Sequence, residues 1–324
     1  MTTRRAFLTA ALAVASAPLA AQDKAARVHR IGFLDPVSMQ ANGSNMEQFR
    51  KGMRELGYVE GTNLTIEYLS ADGRSERFEQ LARELTRRGV SVIVTSGTPA
   101  TLAAKNAKVP VVSATVVDPV DTKVIDSLER PGGQVTGMAL LTEDLESKRL
   151  ELLRAIAPGR DRVAAIMDMS NPGFAEAWKA MQPAAGKLGM HLELIDVRRP
   201  EDMVGGFATA VARNTGAVVV RFGSLTPEHR RAIVEAAAAN KLPTIYASRQ
   251  FVEIGGLASY GINTPQMYYR AATFVDKILK GVNPADLPME RALRFELILN
   301  RLAAHRLGLI IPPDIFLKSD EVLG

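Results

Sequence analysis

The 324-residue chain contains no cysteine. Disulfides, thiolate nucleophiles, cysteine-ligated metals and a lipid-modified cysteine behind an export leader are therefore excluded. Aromatic residues are scarce, with one Trp and six Tyr, so an aromatic side chain at the end of a strand is more informative than usual. Histidine is rare too. His29, His191, His229 and His305 are scattered, with no His-x-x-x-His spacing to hold a metal. No Gly-x-Ser-x-Gly elbow is present. The first apolar strand carries the single Gly32, which rules out a Gly-x-Gly-x-x-Gly dinucleotide turn. Catalysis has no motif to stand on, and neither an enzyme nor a cofactor is expected.

Charge is equally uninformative. The formal net charge is +5, and removing Arg4 and Arg5 lowers it to +3. No block of Lys and Arg interleaved with aromatics gives a nucleic-acid footprint, so no nucleic acid is expected as a partner. No segment has the roughly 20 apolar residues needed to cross a bilayer core of about 30 Å.

What the sequence does contain begins at its N-terminus. Thr3-Arg4-Arg5-Ala6-Phe7-Leu8 followed by an apolar run from Ala10 to Ala21 reads as an export leader of twin-arginine type. Residues 1–21 are expected to be removed, leaving a soluble periplasmic protein. From Arg27 onward, strand-like runs alternate with amphipathic helical runs. Val90–Thr95 is nearly continuous and β-branched, as in a strand covered on both faces of a parallel sheet. Phe78, Leu81, Ala82 and Leu85 share one helical face, and Gly89 stops that helix. Strands separated by helices imply right-handed βαβ units.

Four strands precede Thr115 and four more lie between Arg162 and Ala247, which predicts two similar sheets. The fold class is therefore α/β, with two Rossmann-like lobes. The expected layout is lobe 1 from 28–140 plus 257–283, and lobe 2 from 141–256 plus 284–324. Open parallel sheets bind ligands beyond the carboxyl ends of their strands, so the residues there are the candidates. Ser96, Gly97 and Thr98 follow a buried strand, with Pro99 placed to start a helix and Thr98 to cap it. Free N–H groups at such a start suit a carboxylate or phosphate; a plain capped helix entry is the other reading. Asp35 with Ser38, and Asp118, follow the first and fourth strands. Each Asp either holds a ligand ammonium or caps a turn, the commoner use of Asp-Pro. In the second half Asn171, Ser224, Tyr246 and Arg249 occupy strand ends, and Tyr260 is placed at the hinge. Arg221 sits among apolar residues and requires a carboxylate, structural or from a ligand.

Eight phrases in order carry a resemblance. They are Phe49 to Gly61, Ser96 to Ala100, Asp118-Pro119-Val120, Arg130 to Gly137, Lys148 to Leu153, Ala258-Ser259-Tyr260-Gly261, Ala271 to Gly281, and Leu307 to Pro313. This series closely resembles the ABC-transporter substrate-binding protein family that includes tryptophan- and tyrosine-uptake binding proteins. The resemblance implies the type I periplasmic-binding-protein fold with three hinge crossovers. It also implies a small-molecule ligand, often of aromatic amino-acid type, and an ABC permease in the inner membrane as partner; a monomer is expected. Two features depart from the family pattern. The lipoprotein cysteine is absent, and Met167 to Pro172 differs from the usual asparagine-rich form. An exported enzyme with a bound cofactor, and a sensory binding protein for a membrane receptor, are the alternatives the sequence leaves open.

Overall fold

A computed structural model describes residues 28–141, 143–221, 227–292 and 294–324. The expected leader and Ser224 lie outside the described residues. The chain begins with β1 (His29–Asp35), α1 (Gly43–Glu55), β2 (Leu64–Ser70), α2 (Phe78–Arg87), β3 (Val92–Ser96), α3 (Thr98–Lys105), β4 (Val111–Val117) and β5 (Val135–Leu140). A second series follows with α4 (Glu143–Ile156), β6 (Arg162–Met167), α5 (Pro172–Lys187), β7 (His191–Asp196) and α6 (Met203–Ala212). It continues through β8 (Ala217–Arg221), α7 (Pro227–Ala239), β9 (Thr244–Tyr246), α8 (Arg249–Glu253) and β10 (Ala258–Ile262). The remainder comprises α9 (Thr264–Leu279), β11 (Glu290–Arg291), β12 (Phe295–Asn300), α10 (Arg301–Arg306), α11 (Pro313–Lys318) and β13 (Glu321–Leu323).

Two sheets result. The first runs β11-β5-β4-β3-β1-β2 and the second β13-β12-β10-β9-β8-β6-β7. Every pairing is parallel except β10 with β12. Parallel strands need covering on both faces, and the helices supply it. Met46, Phe49 and Met53 of α1 join Tyr268, Ala271 and Val275 of α9 on one face of the first sheet. Leu81, Leu85 and Ala104, from α2 and α3, cover the other. Around the second sheet, α4 and α5 lie on one side and α6 and α7 on the other.

The chain passes between the two layers three times: after β5, after β10, and between β11 and β12. One small apolar cluster marks these passages. Val117, Leu140 and Leu145 are buried there, with Tyr260, Ile262, Ala292 and Phe295 packed against them.

Several expectations change. β5 was not read from the sequence, because no helix separates it from β4. Its Gly137 adopts φ +126°, and a Cβ there would meet the Ser113 carbonyl oxygen at 2.2 Å, so the strand needs a residue that weakens its own strand signal. β10 pairs with β9 and β12 in the second sheet, whereas the sequence places 257–283 whole in the first lobe. Of that stretch, α9 and the last residue of β10, Ile262, pack on the first sheet. Conversely β11, expected in the second lobe, pairs with β5 of the first. A strand's composition does not say which of two similar sheets it joins.

A cavity between the two sheets

Both sheets direct the carboxyl ends of their parallel strands toward one cavity of about 710 Å³. Asp35, Ser96, Thr115 and Val117 reach it from β1, β3 and β4, and Asp168 and Arg221 from the ends of β6 and β8. The N-termini of α3 and α5 enter from opposite walls through Thr98 and Asn171.

On the first wall, Asp35 is almost wholly buried. Its Oδ2 accepts hydrogen bonds from Tyr268 Oη at 2.6 Å and Asn42 Nδ2 at 2.9 Å, and its Oδ1 from the Val37 amide at 3.1 Å. Burial pushes the carboxyl up to about 6, and the bonds from Tyr268, Val37 and Asn42 pull it partly back. Every one of those donors is neutral. Phe33 stacks between Tyr68 and Tyr268 and fixes the aromatic backing of this corner.

The turn from β3 into α3 differs from its expected form. Gly97, at φ +85°, is the N-cap, and Thr98 is the first helical residue. That left-handed backbone suits glycine. The Gly97 amide donates to the Thr115 carbonyl at 2.7 Å and is not free for a ligand. Thr98 is fully buried, and its Oγ1 accepts from the Val117 amide at 3.3 Å. Ser96 Oγ pairs with Thr115 Oγ1 at 3.2 Å and remains partly exposed.

On the second wall Asn171 caps α5, its Oδ1 accepting from the Gly173 amide at 3.0 Å. Gly173 lies where the two walls meet. A Cβ at that position would stand 2.7 Å from Val117 and 2.9 Å from Thr98 Oγ1. Asp168, beside it, is raised by burial and accepts from Ser170 Oγ at 2.5 Å. Arg249 borders the cavity but is committed to Glu253 and Glu321, each at 2.7 Å, and to Glu296 at 3.6 Å. It ties α8 to β12 and β13.

Four candidates are not brought to the cavity. Ser38 is exposed and accepts from the Ala41 amide at 3.2 Å, closing a local turn. Asp118 is buried at φ +40°, in the connection that follows β4. Tyr246 points into the core of the second layer, its ring stacked on Phe251 at 4.5 Å. Tyr260 packs against Phe295 in the crossing cluster. Its carbonyl accepts from Arg149 Nε at 2.7 Å.

Residues passed over in the sequence take their place. Tyr268 and Asn42 hold Asp35, while Phe174 and Arg149 line the second wall. Arg149 is 1% exposed and lies on α4. Within a helix face its burial had no signal; a charged residue at helical spacing is ordinarily a solvated one. Arg221 finds Glu146 Oε1 at 3.2 Å, the structural carboxylate that its apolar surroundings demanded. Among the described residues, no group of three or more His, Cys, Asp or Glu is placed to hold a metal.

Two layered α/β sheets joined by three crossings, with a cavity between their strand ends, define a type I periplasmic binding protein. Residues 30–323 match the family described as ABC transporter substrate binding protein, and the chain belongs to it. A tyrosine-binding protein of Clostridioides difficile is 25% identical over 280 residues, covering 84% of this chain and 80% of that one. A conserved domain protein of Vibrio cholerae superposes with a TM-score of 0.85 at 25% identity, covering 91% of this chain and all of the other. A Streptococcus pneumonia protein solved with L-Trp gives 0.84 at 23% identity over 91% of this chain and 100% of its own.

Proposed function

We propose that this protein is the exported, periplasmic solute-binding component of an ABC importer. It acts as a monomer that encloses a small carboxylate-bearing solute of aromatic amino-acid type and delivers it to a permease in the inner membrane. The observation that supports this reading most is the cavity itself, which carries a buried carboxylate on one wall and, on the other, two guanidiniums beside Asp168 and the Glu146 they share. Asp35, surrounded by neutral donors, suits a ligand ammonium. The second wall presents Arg149 and Arg221. A solute spanning the cavity makes contacts with both walls that an open cleft cannot offer together, so it favours the closed arrangement. The tyrosine-binding relative and the neighbour solved with L-Trp support the ligand class.

A thermal-shift screen of the mature protein against amino acids, aromatic acids, sugars and nucleosides tests the reading. At 100 times Kd the correct solute adds about 2.7 kcal/mol to stability. The expected result is stabilisation confined to amino acids and aromatic acids. Stabilisation by sugars or nucleosides instead would replace the ligand class while keeping the binding function.

A further inference from the structure

Arg221 ends β8 with 4% of its surface exposed, yet it lines the cavity. Its pairing is incomplete. Glu146 Oε1 lies 3.2 Å from Nε, but neither Nε nor Nη2 has a hydrogen-bond partner among the described residues, and Glu146 Oε2 has none either. The same carboxylate already receives Arg149 Nη1 at 2.5 Å. One buried carboxylate is thus shared between two guanidiniums. Burial lowers Arg221 to about 10, with Glu146 and, more weakly, Asp118 acting to raise it and Arg149 to lower it further, so the group remains a cation at neutral pH. Buried charges are normally paired and fully hydrogen-bonded because each unmet donor loses its water without replacement. A guanidinium left short of acceptors at the wall of a cavity is a site awaiting one. The Phe174 ring, 5.0 Å from the guanidinium carbon, backs the group.

We propose that Arg221 selects the anionic group of the ligand, with Glu146 as the internal carboxylate that holds the guanidinium until the ligand arrives. The inference rests on the small-acid reading above and assigns its acid group to one residue. A turn about the terminal torsions brings the unpaired nitrogens toward the cavity, where a planar carboxylate accepts two parallel bonds. Glu146 keeps Arg149, whose Nε grips the Tyr260 carbonyl at the second crossing. Filling the Arg221 site therefore acts on a cluster that also touches the connection between the two layers. Solutes lacking the acid group leave the guanidinium unsatisfied and are rejected for that reason.

The test is titration calorimetry with L-tryptophan, L-tyrosine, L-phenylalanine and indole-3-acetate, each against its amide, on wild type and on Arg221→Met. A second variant, Arg221→Gln, keeps a hydrogen-bonding group beside Glu146 in case Arg221→Met folds poorly, and in both variants Glu146 stays paired with Arg149. Circular dichroism checks the fold of each. The expected result is that wild type prefers acid over amide, and that both variants lose roughly 10- to 100-fold in affinity for the acid. Affinity for the amide stays within about twofold, since no charged bond is lost. Equal losses for acid and amide, or unchanged acid affinity, would overturn the role of Arg221 and leave the ligand class standing. Wild type binding none of the acids would overturn the aromatic-acid reading and, with it, this assignment.

Discussion

Asp35 carries an energetic signature that depends on pH. Its carboxyl sits near 6 in the fold against 3.8 when free. The protonated form is thus the one that the fold favours. That favourable contribution is complete below pH 3.8 and is lost as the pH rises through about 6, so at pH 7.5 the charged carboxylate costs about 3 kcal/mol. Asp35→Asn should be more stable than wild type without ligand at pH 7.5, and the gap should close as the pH falls toward 4. Paired denaturant titrations at the two pH values measure it. The same charge is what an ammonium would seek. For an amine-bearing ligand, affinity should drop about tenfold per pH unit below 6 in wild type and lose that dependence in Asp35→Asn; calorimetry between pH 4.5 and 7.5 reads both.

Direction along a strand decides which residues at this scale were legible. Asp35 and Arg221 both end strands, and both side chains reach the cavity. Tyr246 ends one too, but β9 contains only three residues. Alternation over so short a run does not fix which side faces the core, and the ring went inward.

At the scale of elements, the starts of α3 and α5 meet at Gly173, where a Cβ would stand 2.9 Å from Thr98 Oγ1. Gly173→Val places methyl groups where Val117 and Thr98 already stand. Overpacking of this kind costs about 1–3 kcal/mol. Here it is suffered only when the walls are together. The expected result is a roughly 10- to 100-fold loss of ligand affinity with little change in stability without ligand. Small-angle scattering should then show the liganded variant as extended as the free one. A midpoint lowered equally with and without ligand would instead mark Gly173 as a packing residue of α5. Asn171→Ala, which removes the α5 cap, should lower the unfolding free energy by about 1 kcal/mol, seen as a small drop in Tm.

The alternating elements were readable because buried parallel strands are long apolar runs and their helices carry one apolar stripe. β5 escaped because Gly137 breaks its run, and α8 and β13 because five and three residues give no period to detect. The turn into α3 was read one residue late. Thr98 is a good capping type, but the positive φ at Gly97 was not visible in composition.

For the whole molecule, the connection between the layers matters more than either layer. Val117, Leu140 and Leu145 form the small buried cluster shared by all three crossings. Leu145→Ala should destabilise by about 2–5 kcal/mol. Trp178, the single tryptophan, packs against the core of the second layer. Its fluorescence follows that layer alone, while far-UV dichroism follows both. Coincident denaturation curves in wild type, separating in Leu145→Ala, would show that the cluster couples the two halves. Which strand returned to which sheet was illegible in the sequence for the same reason: the crossings are set by tertiary contacts among short, ordinary segments.

Under the proposed function, three tethers gathered at one knot would restrict twist and sliding and leave a single angle for the halves to swing along. A membrane partner gripping both halves would then sense that angle and nothing of the chemistry inside. Cargo choice and the signal of being loaded are thereby separable. Side chains in the cleft could then diverge to suit a new solute while the outer surface kept its one message.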